Sequence, residues 1–301
     1  MEKRSILHML DPMPNNSPFD VNMALDAGFE VLMPYSNVKL DSVHGLTQDA
    51  IFSRSPSGVK RTGLFIGGRD MGLAIDMLNA AKLAMVPPFE ISVFADPSGA
   101  FTTAAALVAC VEKELKTHHN KTLQECKAIV FGGTGPDGVA TGVIASLAGA
   151  DTTLVDHLSL DTAEDIVKEY NRRFKATLKA AKASSDEQKA ELIAEHDIVF
   201  CTAKAGIQVL SAKVLEHARS LKVAGDVNAV PPMGIEGIKS THLGKPLIHA
   251  INSTGAVGVG ALAVGNIKYK LQHVLLKSML ETEHPLYLDF RDAFEKARAI
   301  I

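Results

Sequence analysis

Short apolar, β-branched runs alternate with longer stretches of helical periodicity along most of this chain, the signature of repeated strand–helix units. In the first hundred residues the runs Ser5–Met9, Glu30–Met33, Gly63–Ile66 and Ile91–Ala95 read as strands. The helices Val21–Ala27 and Asp70–Met85 lie between them, the second rich in Ala, Leu and Met. Gly67-Gly68 and Asp96-Pro97-Ser98-Gly99 follow two of these strands as loops. This alternation predicts a small α/β domain with a mostly parallel sheet. Thr102–Lys116 is a helix suited to crossing between domains.

A second series begins with the apolar run Cys126–Phe131, which breaks at Gly132-Gly133-Thr134-Gly135-Pro136-Asp137-Gly138 and continues as helix over Val139–Leu147. A further strand, Thr152–Val155, stops at Asp156-His157. Thr162–Phe174 reads as a helix, and Ser184 or Ser185 caps the next one, with Glu187 or Gln188 three residues on. Asp197–Cys201 is a strand delivering Thr202-Ala203-Lys204-Ala205-Gly206 to a loop, and Leu221–Ala224 delivers Gly225-Asp226-Val227-Asn228. A C-terminal helix from Gly265 or Asn266 to Leu280 is long enough to return across the first domain. The predicted fold class is therefore α/β: a Rossmann-type dinucleotide-binding domain over residues 102–268, and a smaller α/β substrate domain over 1–101 and 269–301, completed by the C-terminal helix.

Gly133, Gly135 and Gly138 fit G-x-G-x-x-G. The first glycine permits the tight turn, the second lets the backbone approach a pyrophosphate, and the third lets helix and strand pack closely. With 23 glycines in the chain a bare match would carry little. Here a strand precedes it, a helix follows, and an acid stands roughly 20 residues on. Thr134 and Pro136 complete the turn. Asp137 either sits near the phosphate position or points outward to meet the helix dipole. Ligands of open α/β sheets bind beyond the carboxyl ends of the strands. That rule gathers Gly132–Gly138, Asp156, His157, Thr202, Ala203, Lys204, Asp226 and Asn228 into one cofactor crevice, with the substrate expected between it and the loops of the first domain.

Asp156 selects the cofactor. A carboxylate here accepts hydrogen bonds from the adenine ribose of NAD, whereas NADP places a 2′-phosphate in the same space. Two like charges about 4 Å apart repel by roughly 4 kcal/mol at an effective dielectric near 20. NAD is therefore the expected cofactor, with NADP tolerance left open, since a protonated His157 would offset part of the repulsion. The alternative is that Asp156 only caps a turn.

Composition narrows the classes. A net charge of −3 with scattered Lys and Arg gives no footprint for nucleic acid. Cys110, Cys126 and Cys201 are far apart and form no disulfide framework or zinc site, and the 11 histidines lack ligand spacing, His118-His119 reading as a solvated pair, so no metal is expected. No run is long or apolar enough for a signal peptide or a membrane span, and a cytoplasmic protein is expected.

Beyond the glycine turn the chain resembles a known family, the NAD(P)-dependent methylene-tetrahydromethanopterin dehydrogenases of methylotrophic bacteria. The resemblance covers nearly the whole length. It rests on Ser17-Pro-Phe-Asp20-Val-Asn22, Pro34-Tyr35-Ser-Asn-Val38, Phe65-Ile-Gly67-Gly68 and the string from Phe94 through Asp96 and Phe101 to Thr102-Thr103. Asp226-Val-Asn228-Ala-Val-Pro-Pro-Met-Gly234 and Gly258–Lys268 extend it. It implies oxidation of a methylene-pterin to the methenyl form in one-carbon (formaldehyde oxidation) metabolism, and a homo-oligomer, trimer or hexamer. Family members strictly using NADP carry Gly-Arg where this chain has Asp156-His157.

The resemblance also places Lys268 at the active site, donating a hydrogen bond to the pterin; the alternative is a surface lysine. Asp20 and Asp96 either bind the pterin's amide and amino edge or cap helices. Tyr35 and Phe101 either stack on the pterin or pack in the core. Thr102 joins this substrate set, and Arg69 meets substrate carboxylates or caps a helix. Two other functions stay open at this point: a methylene-tetrahydrofolate dehydrogenase, whose reacting ring is almost the same, and a dinucleotide-sensing protein without catalysis.

Overall fold

The structure is a computed structural model and describes residues 3–301. The chain forms two compact units, one running to Thr102 and taken up again over Tyr269–Lys296, the other comprising Thr103–Lys268 with Ala297–Ile301. The closing residues Ala297–Ile301 thus group with the second unit, whereas the sequence division assigned them to the first. Arg298 Nε donates to Glu112 at 2.7 Å and Lys113 Nζ to the Ile301 carbonyl at 2.9 Å, which accounts for the difference.

In the first unit the elements run β1 (Ile6–Leu10), α1 (Pro18–Asp26), β2 (Val31–Tyr35), α2 (Leu40–Phe52), the single turn α3 (Pro56–Val59), β3 (Thr62–Ile66), α4 (Met71–Leu83) and β4 (Ser92–Ala95). Helix α5 (Ala100–His119) spans the boundary at Thr102. The second unit holds β5 (Lys127–Phe131), α6 (Pro136–Leu147), β6 (Asp151–Asp156), α7 (Leu160–Phe174), β7 (Lys179–Lys182), α8 (Asp186–Ile193), β8 (Ile198–Cys201), α9 (Ala212–Leu215), β9 (Val223–Asp226), β10 (Leu243–Pro246) and β11 (Val257–Val259). Helix α10 (Ala261–Glu281) spans the boundary at Lys268, and β12 (Tyr287–Leu288) and α11 (Phe290–Ile300) follow.

Local chemistry sets the ends of these elements. Ser17 caps α1 ahead of Pro18 at its first position, and Asp70 caps α4 by accepting the Leu73 N–H at 2.7 Å. Ser185, the second of the two serines considered, forms a capping box with Gln188 on α8. Lys175 ends α7 in the left-handed region.

The first sheet is entirely parallel, in the order β12-β4-β3-β1-β2. The second has the order β10-β11-β9-β8-β5-β6-β7 and is parallel except where β10 meets β11. Its register pairs Phe131 with both Val155 and Cys201, and Cys201 with Asp226. The carboxyl ends of β5, β6, β8 and β9 therefore lie side by side, and their following loops start from one edge. Behind that edge Ile129, Phe131, Val155, Ile193, Val199, Leu210 and Leu215 form a buried core. Of the histidine pair expected to be solvated, His118 is exposed and meets Glu114 at 3.1 Å, whereas His119 is half-buried and donates to the Lys222 carbonyl at 3.1 Å.

Candidate cofactor and substrate sites

The glycine turn separates residues the fold requires to be small from one it does not. Gly132 has φ +75°, and a Cβ there would lie 2.7 Å from the Ala203 nitrogen. A Cβ on Gly133 would lie 2.8 Å from the Val130 carbonyl oxygen, and one on Gly138 only 2.1 Å from that of Gly132. All three contacts are with backbone and cannot be relieved by a side-chain rotation. Gly135 differs: its φ is −79°, open to any residue, and a Cβ would find nothing nearer than the Gly132 oxygen at 3.6 Å. The free space at Gly135 adjoins the first turn of α6, which has no side-chain cap and so offers main-chain donors. The fold thus leaves open space at Gly135 beside these donors.

At the end of β6, Asp156 is only 8% exposed. Its Oδ1 accepts the Leu158 and Ser159 N–H groups at 2.7 and 2.9 Å, and its Oδ2 accepts the Thr134 hydroxyl at 2.6 Å. Burial pushes this carboxyl up, but the Thr134 hydroxyl and the two N–H donors outweigh it and hold the pKa below the ordinary value. The residue therefore caps its own turn and at the same time stands beside the glycine loop. His157 next to it is exposed.

The other residues named from the sequence fall into two groups. Pro136 and Lys204 are exposed, Thr134, Asp137 and Ala203 half-buried. Thr202, Asp226 and Asn228 are buried and build the loops themselves. The Thr202 hydroxyl donates to the carbonyls of Phe131 and Gly132 at 3.1 and 3.2 Å, tying the β8 loop to the glycine turn. Asp226 accepts the N–H groups of Asn228 and Ile235, and burial pushes its carboxyl up. Asn228 accepts from Gly206 and Val230 and donates to the Pro232 carbonyl, locking two loops together.

In the first unit a cavity of about 400 Å³ opens beyond the carboxyl ends of β1, β3 and β4, lined by Asp11, Asn16, Asp20, Gly68, Arg69 and Ser98 among others. Asp20 is buried and accepts from Gln272 Nε2 at 2.7 Å. Asp11, which sequence reasoning missed, accepts the Met13 N–H at 2.8 Å, and burial raises its pKa. Its Oδ2 lies where a Cβ on Gly67 would approach to 2.5 Å, so Gly67 is small to make room for this carboxylate. Ser98 adopts φ +54° and its hydroxyl donates to the Gly68 carbonyl at 2.9 Å. The available signal was position: Asp11, Arg69 and Ser98 each follow closely on a predicted strand.

The remaining predicted substrate residues sit elsewhere. Asp96 is fully buried and caps α5, accepting from the N–H groups of Phe101 and Thr102 and from the Thr102 hydroxyl at 2.6 Å. Phe101 packs edge-on against Phe290 in the core, ring centroids 5.5 Å apart. Asp96, Phe101 and Thr102 thus take the cap and core readings, because no surface of theirs reaches solvent. Tyr35 is half-buried with its hydroxyl 3.1 Å from His8 Nδ1, and Lys268 is half-buried on α10.

A larger cavity of about 620 Å³ lies between α8 and α9, walled by Asp186, Glu187 and Glu191 against Lys213, His217 and Arg219. It lies away from the strand ends and holds none of the glycine-turn donors, so volume alone does not make it the site. Among the described residues no cluster of His, Cys, Asp and Glu could hold a metal ion, and no helix is long and apolar enough to cross a membrane.

Two solved structures share the fold at 13% identity: a shikimate 5-dehydrogenase from Listeria monocytogenes (TM-score 0.52, covering 99% of this chain and 96% of that one) and an NAD-dependent malic enzyme from Thermotoga maritima (TM-score 0.56, 98% and 84%). The family described as methylene-tetrahydromethanopterin dehydrogenase, N-terminal, matches residues 18–98, a stretch that includes Asp20, Gly68, Arg69 and Ser98 of the first-unit cavity. The chain is 30% identical to the bifunctional protein MdtA of Methylorubrum extorquens over 98% of both chains. It is 48% identical to the NAD(P)-dependent methylenetetrahydromethanopterin dehydrogenase of the same organism, again over 98% of both chains. Identity at that level over 98% of both chains means that the chain belongs to the methylene-tetrahydromethanopterin dehydrogenase family.

Proposed function

We infer that this protein oxidises methylene-tetrahydromethanopterin to methenyl-tetrahydromethanopterin, passing the hydride to NAD(P) with NAD preferred. The observation that supports the dinucleotide half is the open space at Gly135 beside the uncapped main-chain donors of α6. The family relationship carries the pterin half. NAD(P) when bound supplies the hydride acceptor. The chain's own residues bind and orient. Main-chain donors at the start of α6 meet the pyrophosphate, and Asp156 meets the adenine ribose.

Removing hydride from a carbon bridging two nitrogens leaves a resonance-stabilised cation without proton loss at that carbon. Positioning therefore dominates over acid–base work. Asp20 and Asp11 in the first-unit cavity suit the planar N–H donors of a pterin edge. Lys268 donates a hydrogen bond to the pterin and stays off the reacting carbon, where a second cation would oppose the developing charge. NAD preference follows from the charge on Asp156, moderated because its Oδ1 is already occupied by two N–H groups. The family resemblance supports a cytoplasmic homo-oligomer, a trimer or hexamer.

The test is a spectrophotometric grid of two methylene-pterins against two dinucleotides. The expected result is the largest kcat/KM for the methanopterin form with NAD. The two pterins differ near the reacting ring only by methyl-sized groups, worth about 1–3 kcal/mol, so slow folate turnover is compatible. A larger kcat/KM with the folate form makes the enzyme a methylene-tetrahydrofolate dehydrogenase, and reduction with neither makes it a sensor.

A further inference from the structure

We propose that Thr134 is the residue that sets how well NADP competes with NAD, acting as a donor that can serve either the Asp156 carboxylate or a 2′-phosphate. The inference rests on the dinucleotide reading above and deepens it. Thr134 lies between Gly133 and Gly135, and its side chain reaches across from the glycine turn to the end of β6. Its Oγ1 lies 2.6 Å from Asp156 Oδ2, and a carboxylate can only accept, so the hydroxyl proton is committed to that oxygen.

The distribution of donors on Asp156 makes this bond exchangeable. Oδ1 holds the Leu158 and Ser159 N–H groups at 2.7 and 2.9 Å, both fixed by the backbone. They continue to satisfy the carboxylate when the Thr134 rotor leaves. Oδ2 has the hydroxyl alone among those partners, which leaves one of its lone pairs for a ribose hydroxyl of NAD. When a 2′-phosphate occupies the same space, rotation about χ1 of Thr134 turns its O–H toward a phosphate oxygen. The bond to a singly charged carboxylate is exchanged for one to a more highly charged phosphate, and the difference offsets part of the repulsion. His157, exposed beside Asp156, adds a second group able to face the phosphate. An aspartate at the end of this strand therefore disfavours NADP in this chain by less than its bare charge implies.

The discriminating substitution is Thr134→Val, which keeps the shape and removes the donor. NADPH then meets an uncompensated carboxylate, while the Oδ2 lone pair vacated by the hydroxyl becomes available to the NADH ribose. The expected result is a rise of about fivefold in the ratio of NADPH to NADH dissociation constants, from the lost advantage of the phosphate over the carboxylate as acceptor together with the lone pair opened to the NADH ribose. Both constants are read by nicotinamide fluorescence on the whole protein. Thr134→Ser keeps the donor and should restore the wild-type ratio. The ratio cancels any loss common to both cofactors, so a Thr134 that merely braces the turn leaves it within twofold of wild type, and that outcome overturns the proposal. So does a serine variant that behaves like valine. Wild-type protein that binds neither NADH nor NADPH overturns the dinucleotide reading itself, an outcome distinct from an unchanged ratio.

Discussion

Gly135 and Gly138 belong to one motif, yet physical chemistry requires them for opposite reasons. A methyl group at Gly138 would press on the Gly132 carbonyl at 2.1 Å, and only backbone movement could relieve it. Gly138→Ala should cost about 1–3 kcal/mol of stability or more, the usual range for overpacking. Gly135→Ala meets no such wall and has an ordinary φ, so the fold should change by less than about 0.5 kcal/mol. The methyl would instead fill the space kept for pyrophosphate, and KM for the dinucleotide should rise about tenfold or more, equivalent to about 1.4 kcal/mol. Thermal denaturation and steady-state kinetics on the two variants separate the effects. Equal destabilisation with unchanged KM for Gly135→Ala would show that this glycine is structural too. The motif was legible in the sequence, but this division of labour was not, because it depends on which backbone atoms lie opposite each Cα.

At the scale of elements, the strands and helices that a periodic pattern announces were found within a few residues of their ends, as in β5, α6 and β6. What escaped has physical reasons. β7 reads Lys-Ala-Ala-Lys and looks like a polar linker, but edge pairing with β6, Asp156 opposite Lys182, makes it a strand. In α11 the buried positions Phe290, Ala293, Phe294 and Ala297 do follow helical spacing; that helix lay beyond the elements traced from the sequence. Asp96 illustrates a limit of another kind, since a carboxylate followed by Pro-Ser-Gly-Ala-Phe-Thr serves equally as a ligand group or as the cap of α5. Only the bonds to Phe101 and Thr102 decide it. Lys268 keeps its proposed role on α10, and its variant tests it. Lys268→Met should lower kcat at least about tenfold while dinucleotide affinity holds, because an interaction made with the pterin in the transition state appears in kcat. Wild-type kcat in the folded variant would return it to the surface-lysine reading.

Over the whole molecule, ionisable groups are arranged so that stability depends on pH in opposing directions, and the signs can be worked out group by group. His8, His119, His196 and His242 all have lowered pKa values, burial being the largest cause in each. The unfolded chain, with imidazoles near pKa 6.5, then binds more protons than the folded one just below that pH. Their contribution is fully present above pH 6.5 and is lost as pH falls beneath it. Asp11, Asp226 and Asp292 are raised, again chiefly by burial, so the folded state takes up their protons more readily and gains stability as pH falls toward the unfolded value near 3.8. Asp156 is lowered, and its contribution persists until pH falls below about 4. Between pH 7.5 and 5.5 the histidines cross their window first, and Tm should fall. His196 gives the sharpest check. Its Nδ1 faces the Leu192 carbonyl, so the ring holds a proton on Nδ1 and is neutral only while Nε2 is bare. His196→Gln keeps a donor without a titrating ring, and its Tm should fall less than that of the wild type over the same interval, whatever the variant loses at pH 7.5. A Tm that climbs from pH 7.5 to 5.5 in the wild type would mean that the buried aspartates outweigh the histidines, and an unchanged slope in His196→Gln would remove this residue from the set.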